Sequence, residues 1–439
     1  MKRLLILAYD FPPYVSVGGL RPYAWYRYLK EYGVEPIVVT RQWGNKYGNE
    51  LDYIAPSESK ETIVEETEYG TIIRTPYKPN LANRLMLKYG KSKFSLLRKM
   101  VTAWYEFMQY IFFVGPKSCL YRGAKKYLKT NEVDAIIATG EPFVLFKYAS
   151  SLSKKYGVPW VADYRDPWIQ SKNRRKGIGK CGKYFEKRFT ANAECAITVD
   201  DFFKKQIETN VYKPFHIIPN GYSPDAINAV SDIKQGGDCL RFAFVGTIYK
   251  WHPLESVLHC FSSFANSDIN PIFELNFYGV NNAEVIKSLV NEKFQNLDGK
   301  VNVYPRMENN MLMEKLAMHN VMLLFNYYSF TGTKIYDYIG LKRKIMLCYS
   351  DDAEAKSLKE KYYYSIGELK GLSTHQQEDF INITHSGVVV KDKAQLTIVL
   401  EELYDEFLRT GMIECSTIDA DKFSRKEGAR SLALIIKQL

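Results

Sequence analysis

Short apolar runs alternate with longer segments of helical periodicity along the whole of this 439-residue chain, and this alternation restricts its fold more than any other feature. Continuous apolar strands between helix-length segments are typical of parallel sheets, because helices cover both faces of such a sheet. The predicted strands are residues 4–9, 37–40, 135–139, 160–163, 196–199 and 216–218, followed by 241–245, 273–277, 301–304, 321–325, 344–348 and 387–391. The pattern predicts an α/β fold with two doubly wound parallel sheets.

A turn signal near the middle of the chain separates the two sheets. Pro219-Asn220-Gly221 follows a short strand and precedes a polar stretch, as a domain join does. We therefore predict a first domain of residues 1–219, a second of residues 220–422, and a ligand cleft between them. Residues 423–439 are helix-periodic, and we expect this final helix to pack back on the first domain.

Composition excludes several classes of protein. The chain is 46% hydrophobic, which is enough to bury sizeable cores. Its seven cysteines and six histidines show no paired or ligand spacing, so neither a disulfide framework nor a metal site is predicted. The apolar run at the N-terminus is broken by Asp10, which favours a first buried strand over a signal peptide. No transmembrane helix is predicted, and a reducing cytoplasm fits these features best.

Charge is distributed unevenly along the chain. Residues 1–219 carry a net charge of +15 and the remainder −4, within a total of +11. This asymmetry indicates that the first half faces an anionic surface, either membrane headgroups or nucleic acid. Residues 81–130 mix basic with aromatic and aliphatic side chains as interfacial helices do, and 172–183 add a second basic run. We favour contact with an anionic membrane; ordinary surface helices and a solvated loop are the alternatives.

The segment FTGTKIYDYI, residues 330–339, predicts a site for a nucleotide diphosphate. Apolar strands precede and follow it, so the Thr331-Gly332-Thr333 turn is expected at the carboxyl end of a strand and the start of a short helix. Free backbone amides there attract phosphate, Lys334 adds a positive charge, and Asp337 accepts hydrogen bonds from ribose hydroxyls. An ordinary threonine cap of the helix is an equally simple interpretation.

Two further loops in the first half also follow predicted strands. Gly18-Gly19 lies between the first strand and a helix, where a glycine pair lets the backbone approach a phosphate or sugar. Asp163, Arg165 and Asp166 follow another strand, where two carboxylates would flank a guanidinium, or would form a structural ion pair. Glu141 follows a third strand and faces the same cleft or merely solvent.

Taken in chain order, the glycine pair, VADYRDPW (161–168), IIPNGY (217–222), FVGTIYKW (244–251) and GTKIYDYI (332–339) resemble the GT-B glycosyltransferases of family 4. This resemblance covers nearly the whole chain. It implies two Rossmann-like domains facing a central cleft, and transfer of a sugar from a nucleotide diphosphate sugar to an acceptor hydroxyl with retention. No metal or other cofactor is implied.

The resemblance also assigns residues to roles. On the donor side it places Thr331, Gly332, Thr333 and Lys334 at the diphosphate, Asp337 at the ribose, Arg306 at the nucleobase, and Gly18 and Gly19 over the donor from the first domain. Arg165 and Asp166 are assigned to the acceptor side. The chain departs from the family at Ser329, where a glutamate is common, and at Gly246-Thr247, where Gly-Arg is common. Lys250 is then the nearest candidate for the missing cation.

The implied mechanism needs no strong base. Negative charge grows on the departing diphosphate as the sugar becomes oxocarbenium-like, and amides and Lys334 stabilise that charge. Asp163 or Glu141 would orient the acceptor hydroxyl. The acceptor expected is a glycan or lipid-linked glycan of bacterial surface-polysaccharide synthesis, and the protein is expected in the cytoplasm, with peripheral attachment to the inner face of the cell membrane left open.

Three other functions compete with this hypothesis. A catalytically silent sugar-nucleotide-binding homologue is suggested by Ser329 and Thr247. A sugar-nucleotide epimerase on the same fold would need no acceptor. A nucleic-acid-binding protein is suggested by the basic first half, but it leaves the phosphate loop of the second domain without a role, so we expect no nucleic-acid partner.

Overall fold

The computed structural model describes residues 1–44, 51–169, 176–363 and 369–439. The chain divides into two compact units. Unit 1 comprises Met1–Pro219 together with Arg425–Leu439, and unit 2 comprises Asn220–Ser424.

Unit 1 is built on an eight-stranded sheet. Its strands are β1 (Lys2–Leu7), β2 (Val34–Arg41), β3 (Ile63–Glu66), β4 (Thr71–Thr75), β5 (Ala135–Gly140), β6 (Trp160–Tyr164), β7 (Cys195–Thr198) and β8 (Phe215–Ile217). They lie in the order β3-β4-β2-β1-β5-β6-β7-β8, and all neighbouring pairs are parallel except β3 with β4. Six of these strands were predicted from the sequence, and β3 and β4 were missed.

Helices cover both faces of this sheet. They are α1 (Val17–Tyr28), α2 (Leu81–Tyr89), α3 (Ser95–Ile111), α4 (Ser118–Tyr127), α5 (Val144–Tyr156), α6 (Lys176–Thr190) and α7 (Asp201–Ile207). Alternate side chains of β1 enter different cores: Leu5 and Leu7 join one apolar cluster, and Leu4 and Ile6 join the other. Because both of its faces are buried in this way, the centre of β1 is apolar, and the same holds for β2, β5, β6 and β7, which is why these strands could be predicted.

Unit 2 is built on a six-stranded, wholly parallel sheet. Its strands are β9 (Leu240–Val245), β10 (Phe273–Tyr278), β11 (Val301–Tyr304), β12 (Val321–Phe325), β13 (Lys344–Cys348) and β14 (Gly387–Val390). All six were predicted. The order β11-β10-β9-β12-β13-β14 is that of a Rossmann-like sheet.

The helices of unit 2 also lie on both faces of its sheet. They are α8 (Pro224–Asn228), α9 (Leu254–Ala265), α10 (Ala283–Lys293), α11 (Asn309–Ala317), α12 (Lys334–Gly340), α13 (Ala353–Tyr362), α14 (Gln376–Thr384) and α15 (Lys393–Thr410). The final helix, α16 (Arg425–Gln438), belongs to unit 1, where Leu432 and Ile436 are buried in the same cluster as Leu4 and Ile6.

Strand order reverses once inside each sheet. The reversal lies between β1 and β5 in unit 1 and between β9 and β12 in unit 2. Connections leave such a point in opposite directions, so the carboxyl ends of the two strands stay uncovered and form a crevice where ligands bind. These two crevices position the candidate sites.

A buried carboxyl group makes the stability of unit 1 depend on pH. Glu186 of α6 is 2% exposed and its Oε2 accepts a hydrogen bond from Asn210 Nδ2 at 2.7 Å. Burial raises the pKa of Glu186 from 4.5 to about 7. The folded state therefore holds the proton of the Glu186 carboxyl more tightly than the unfolded state does. The stabilisation that this bound proton contributes is complete below pH 4.5 and is lost as the pH rises through about 7.

Glu186→Gln should remove this loss because the amide stays neutral. At about pH 8 we expect the variant to exceed the wild type by about 2 kcal/mol in free energy of unfolding, or about 5 °C in Tm. At about pH 4, where the carboxyl is mostly protonated in both states, the two proteins should unfold together. Scanning calorimetry at both pH values, with the exposed Glu208→Gln as control, tests this; an equal difference at both pH values would contradict it.

Candidate functional site

The crevice of unit 2 opens beside the loop that follows β9. Gly246 has a φ of +105°, a conformation that favours glycine, and no atom of the described residues lies within 4 Å of the position where its Cβ would be. Thr247 is exposed. The backbone NH of Val245 donates to the hydroxyl of Tyr338 at 3.0 Å, which ties β9 to α12. The backbone of the loop at Gly246-Thr247 is therefore accessible, while the end of β9 before it is held in place by α12.

The segment after β12 forms the other wall of this crevice. Gln377 holds it from α14: its Oε1 accepts from the NH of Tyr327 at 2.7 Å, and its Nε2 donates to the carbonyl of Thr331 at 3.2 Å. Gly332 has a φ of +74°, a backbone conformation that favours glycine at this position of the turn. The turn is thus a fixed feature rather than a loose loop.

The helix predicted after this turn is α12, which begins at Lys334 as expected. Thr333 precedes it and makes no side-chain capping hydrogen bond, so the structure does not support the alternative of an ordinary threonine cap. Lys334 Nζ lies 3.4 Å from Asp337 Oδ2 in an ion pair whose side chains are 33% and 14% exposed. Pairs of this kind stabilise by about 0.5 kcal/mol, so an anionic ligand can displace the carboxylate from Lys334.

The remaining donor-side candidates of unit 2 lie at different depths. Ser329 is 2% exposed, so its hydroxyl is buried rather than presented to a ligand in the crevice. Lys250 is exposed, and its Nζ lies 5.9 Å from the centroid of the Tyr362 ring. Arg306 is exposed two residues after β11, which is separated from β9 by β10. Arg306 therefore lies along the same sheet edge, away from the reversal point.

Aromatic side chains line this crevice in a way that the sequence analysis did not predict. Tyr249 stacks on Trp251 with ring centroids 4.3 Å apart, and it contacts Tyr327 edge-on at 5.7 Å. His252 lies beneath them, and burial lowers its pKa to about 3, so its ring is neutral near pH 7. The only sequence signal was the run Tyr-Lys-Trp-His directly after the β9 loop. Binding sites for small molecules typically combine such apolar walls with a few polar groups.

The crevice of unit 1 contains Asp10, another residue that the motifs did not single out. Asp10 Oδ2 accepts a hydrogen bond from Ser16 Oγ at 2.7 Å, and Ser16 Oγ accepts from the NH of Gly18 at 3.0 Å. Burial raises the pKa of the Asp10 carboxyl, while Ser16 and the positive charge of Arg165 oppose that rise. The sequence signal that could have identified Asp10 was the position of an acidic residue just past a predicted strand.

Gly18 and Gly19 lie in the first turn of α1 rather than in a loop before it. A Cβ on Gly18 would lie 2.3 Å from Arg165 Nη1 and 2.9 Å from Asp10 Oδ2. A Cβ on Gly19 would lie 3.4 Å from the backbone of Asp10. Within unit 1, these glycines therefore make room for Arg165 and for the Asp10 loop.

Arg165 joins the ends of two strands. Its Nε donates to the carbonyl of Gly140 at 2.6 Å and its Nη2 to the carbonyl of Glu141 at 2.9 Å. Desolvation, and secondarily the charge of Asp166, raise the pKa of Glu141; desolvation also raises the pKa of Asp166, against the effect of Arg165. The structure thus brings Glu141, Arg165 and Asp166 together with Asp10.

Asp163 does not join this group, contrary to the expectation that Asp163 and Asp166 flank Arg165. Its side chain is fully buried, and its Oδ1 accepts from Arg21 Nε at 3.0 Å. Arg21 Nη1 also donates to the carbonyls of Ile218 at 2.8 Å and Pro219 at 3.3 Å. The structure favours the alternative of a structural ion pair, formed with Arg21 instead of Arg165.

A pocket of about 510 Å³ lies beside the Asp10 loop in unit 1, and the sequence analysis did not predict it. Trp43 forms part of its wall and stacks on Tyr14 with centroids 3.9 Å apart. Arg74 Nη1 donates to the carbonyl of Pro12 at 2.8 Å, which fixes the opposite wall. A pocket of this size suits a small ligand such as a sugar.

Comparisons with solved structures show the fold. No protein-family model and no curated protein matches the chain by sequence. A sucrose-phosphate synthase from Thermosynechococcus elongatus matches with a TM-score of 0.57 at 14% identity, over 99% of this chain and 95% of that one. An α,α-trehalose-phosphate synthase (UDP-forming) from Burkholderia xenovorans, in complex with glucose-6-phosphate, matches with a TM-score of 0.62 at 10% identity, over 100% of both chains.

A trehalose-6-phosphate synthase used to analyse enzymatic glycosyltransfer with retention also matches, with a TM-score of 0.56 at 11% identity over 100% of this chain and 99% of that one. Together with the two sheets, these matches confirm the GT-B architecture of two Rossmann-like domains. Membership of family 4 stays a prediction. Within the described ranges, no cluster of three or more His, Cys, Asp or Glu residues is arranged to hold a metal ion.

The buried pair of Asp163 and Arg21 yields a stability prediction. Asp163→Asn leaves the Arg21 charge buried and uncompensated, so we expect a loss of about 3–5 kcal/mol in free energy of unfolding. Arg21→Met combined with Asp163→Leu removes both charges and should recover much of that loss. Urea denaturation measures both effects, with Glu208→Gln at an exposed position of unit 1 as control. Unchanged stability of Asp163→Asn, with loss of activity, would instead indicate an acceptor-orienting role.

Proposed function

We propose that the protein is a glycosyltransferase that moves a sugar from a nucleotide diphosphate sugar to an acceptor hydroxyl with retention of configuration. The observation that carries this proposal is the crevice of unit 2, where the open backbone edge at Gly246-Thr247, the fixed turn at 331–333 and Lys334 meet around one strand reversal. The fold is shared with proteins described as UDP-forming and as catalysing glycosyltransfer with retention, which is consistent with the proposal.

Unit 2 is proposed to bind the donor. Backbone amides of Gly246, Thr247 and the 331–333 turn would hold the diphosphate, and Lys334 would leave Asp337 to pair with it. Asp337 would then accept hydrogen bonds from the ribose hydroxyls. Arg306 and Lys250 lie on the flanks of the crevice, where they would contact the nucleobase and the phosphates. Because α12 has only seven residues, the turn amides and Lys334 matter more here than the helix dipole.

The transfer step is proposed to depend on stabilisation of the leaving group. As the bond between the anomeric carbon and the diphosphate oxygen breaks, negative charge grows on that oxygen, where amides and Lys334 already lie. The acceptor oxygen attacks from the same face, and its proton passes to the departing phosphate. The neutral His252 adds no charge, and the aromatic wall of Tyr249 and Tyr327 excludes water that would otherwise hydrolyse the donor.

Unit 1 is proposed to bind the acceptor. Its crevice combines the carboxyl groups of Asp10, Glu141 and Asp166 with the guanidinium of Arg165, beside the pocket walled by Trp43. Carboxylates accept hydrogen bonds from sugar hydroxyls and repel phosphate. This favours a hydroxyl of a neutral sugar, as in a glycan or lipid-linked glycan of surface-polysaccharide synthesis, over a sugar phosphate. Asp10 and Glu141 replace Asp163 as the groups proposed to orient the acceptor.

A catalytically silent sugar-nucleotide-binding homologue is a second candidate, favoured by one observation. Ser329, which replaces a glutamate common in the family that the chain resembles, is buried, so its hydroxyl is poorly placed to bind the sugar. Turnover separates the two candidates. Release of nucleotide from a donor sugar only when an acceptor is added would support transfer, and sugar isomerisation without an acceptor would indicate an epimerase.

A thermal-shift panel of UDP, GDP, ADP and dTDP sugars tests donor binding. We expect one nucleotide at saturating concentration to raise Tm by about 5–10 °C, because binding to the folded state alone stabilises it. Lys334→Ala should weaken that binding by about 10- to 100-fold, the value of a hydrogen bond to a charged group.

The matched control for this panel is Lys287→Ala, because Lys287 forms an i,i+3 ion pair with Glu284 at 3.1 Å that resembles the pair of Lys334 with Asp337. It should respond to the nucleotide as the wild type does. If no nucleotide changes Tm, or if Lys334→Ala and Lys287→Ala respond identically to the stabilising nucleotide, the proposed donor site is wrong.

A further inference from the structure

Helices α2 and α3 of unit 1 leave an unusual number of large apolar side chains exposed to solvent. Between residues 81 and 112 these are Leu81, Leu87, Tyr89, Phe94, Leu96, Leu97, Met100, Trp104, Phe107, Ile111 and Phe112, with exposed fractions from 38% to 74%. We call these side chains the α2–α3 surface. Contiguous exposed apolar patches of this kind mark sites of interaction with proteins or membranes.

The exposed side chains of α3 form one stripe along the helix. Leu96, Met100, Trp104, Phe107 and Ile111 are spaced by three or four residues, so they lie on the same face. At 1.5 Å per residue this stripe is about 22 Å long. Its length and its alignment along a single helix axis suit a flat apolar partner that lies parallel to the helix.

The opposite side of α3 is attached to the body of unit 1. Lys147 Nζ donates to the carbonyls of Gln109 at 2.9 Å and Phe112 at 2.7 Å, which fixes the end of the helix. The ring of Tyr110 stacks on Phe185 at 5.3 Å. These contacts hold the helix in place, so its exposed stripe is a feature of the folded unit.

Charge around the stripe is predominantly positive. Residues 81–112 contain six basic side chains and one acidic side chain, Glu106. Glu106 is already paired with Lys117 at 3.0 Å. The basic side chains are Arg84, Lys88, Lys91, Lys93, Arg98 and Lys99. Apolar and aromatic side chains bordered by Lys and Arg are the composition by which helices lie in the headgroup region of anionic bilayers.

We propose that the α2–α3 surface docks unit 1 on an anionic lipid bilayer, with the stripe of α3 in the headgroup and upper acyl region. Among the described residues, no helix is both long and apolar enough to cross a membrane. Because the stripe runs along the axis of α3, this helix would lie parallel to the bilayer surface. The basic border distinguishes this occupant from a second copy of the chain, since two such borders would repel each other. The second predicted basic run, 172–183, lies partly outside the described residues. This inference is independent of the proposed transfer reaction.

Vesicle binding of the full chain tests the proposal. We expect co-sedimentation with phosphatidylcholine–phosphatidylglycerol vesicles, little with pure phosphatidylcholine, and weaker binding at higher salt because screening reduces the attraction. Leu96→Gln with Met100→Gln should abolish binding, whereas Lys88→Glu with Lys99→Glu should weaken it by at least about tenfold. Ile383→Gln with Leu408→Gln changes two comparably exposed apolar residues of unit 2 and should have no effect.

Tryptophan fluorescence gives a second readout. Of the six tryptophans, all within the described residues, only Trp104 is exposed, at 51%. Lipids brominated on their acyl chains should therefore quench emission of the bound protein, and Trp104→Phe should remove that quenching. All these substitutions are at exposed positions, so Tm should stay unchanged.

The proposal is overturned if anionic vesicles do not bind the protein, or if the stripe variant binds them as the wild type does. It is also overturned if sedimentation velocity without lipid shows a dimer that Leu96→Gln with Met100→Gln converts to monomer while vesicle binding is absent, because a second copy then covers the surface. Each of these outcomes leaves nucleotide binding by unit 2 unaffected, so the two proposals fail separately.

Discussion

The reversal of strand order inside each parallel sheet is the constraint on which both candidate sites depend. A parallel sheet needs a crossover helix after each strand, and where successive crossovers turn in opposite directions the carboxyl ends of two neighbouring strands stay uncovered. This happens between β9 and β12 in unit 2 and between β1 and β5 in unit 1. Residues as distant in sequence as Gly246 and Lys334 therefore belong to one crevice.

The two crevices differ in the polar groups that they present, and this difference supports the proposed division of roles. That of unit 2 presents backbone NH groups and Lys334 beside an aromatic wall, which suits a diphosphate. That of unit 1 presents Asp10 and Glu141, whose pKa values burial raises, beside Arg165, which suits a hydroxyl group that needs orientation. The proposed transfer would use both crevices, whereas binding of a sugar nucleotide alone would use only that of unit 2.

Much of the fold followed from the sequence because strands buried on both faces are apolar at every position. The two strands that were missed do not have this pattern. Ile63–Glu66 is an exposed antiparallel edge, and Thr71–Thr75 begins and ends in threonine. Motifs located Lys334 and the 331–333 turn, but Asp10 and His252 belong to no motif, and their positions just after strands were weak signals. The partner of Asp163 could not be predicted either, since Arg21 lies 142 residues away and only the folded sheet brings them together.

The most direct test of the central claim is a crystal structure of the protein soaked with the nucleotide diphosphate that stabilises it. We expect the diphosphate within hydrogen-bonding distance of the amides of Gly246 or Thr247 and of Lys334 Nζ, with the contact between Lys334 and Asp337 broken. A diphosphate bound elsewhere, or one bound while that ion pair stays intact, would contradict the account.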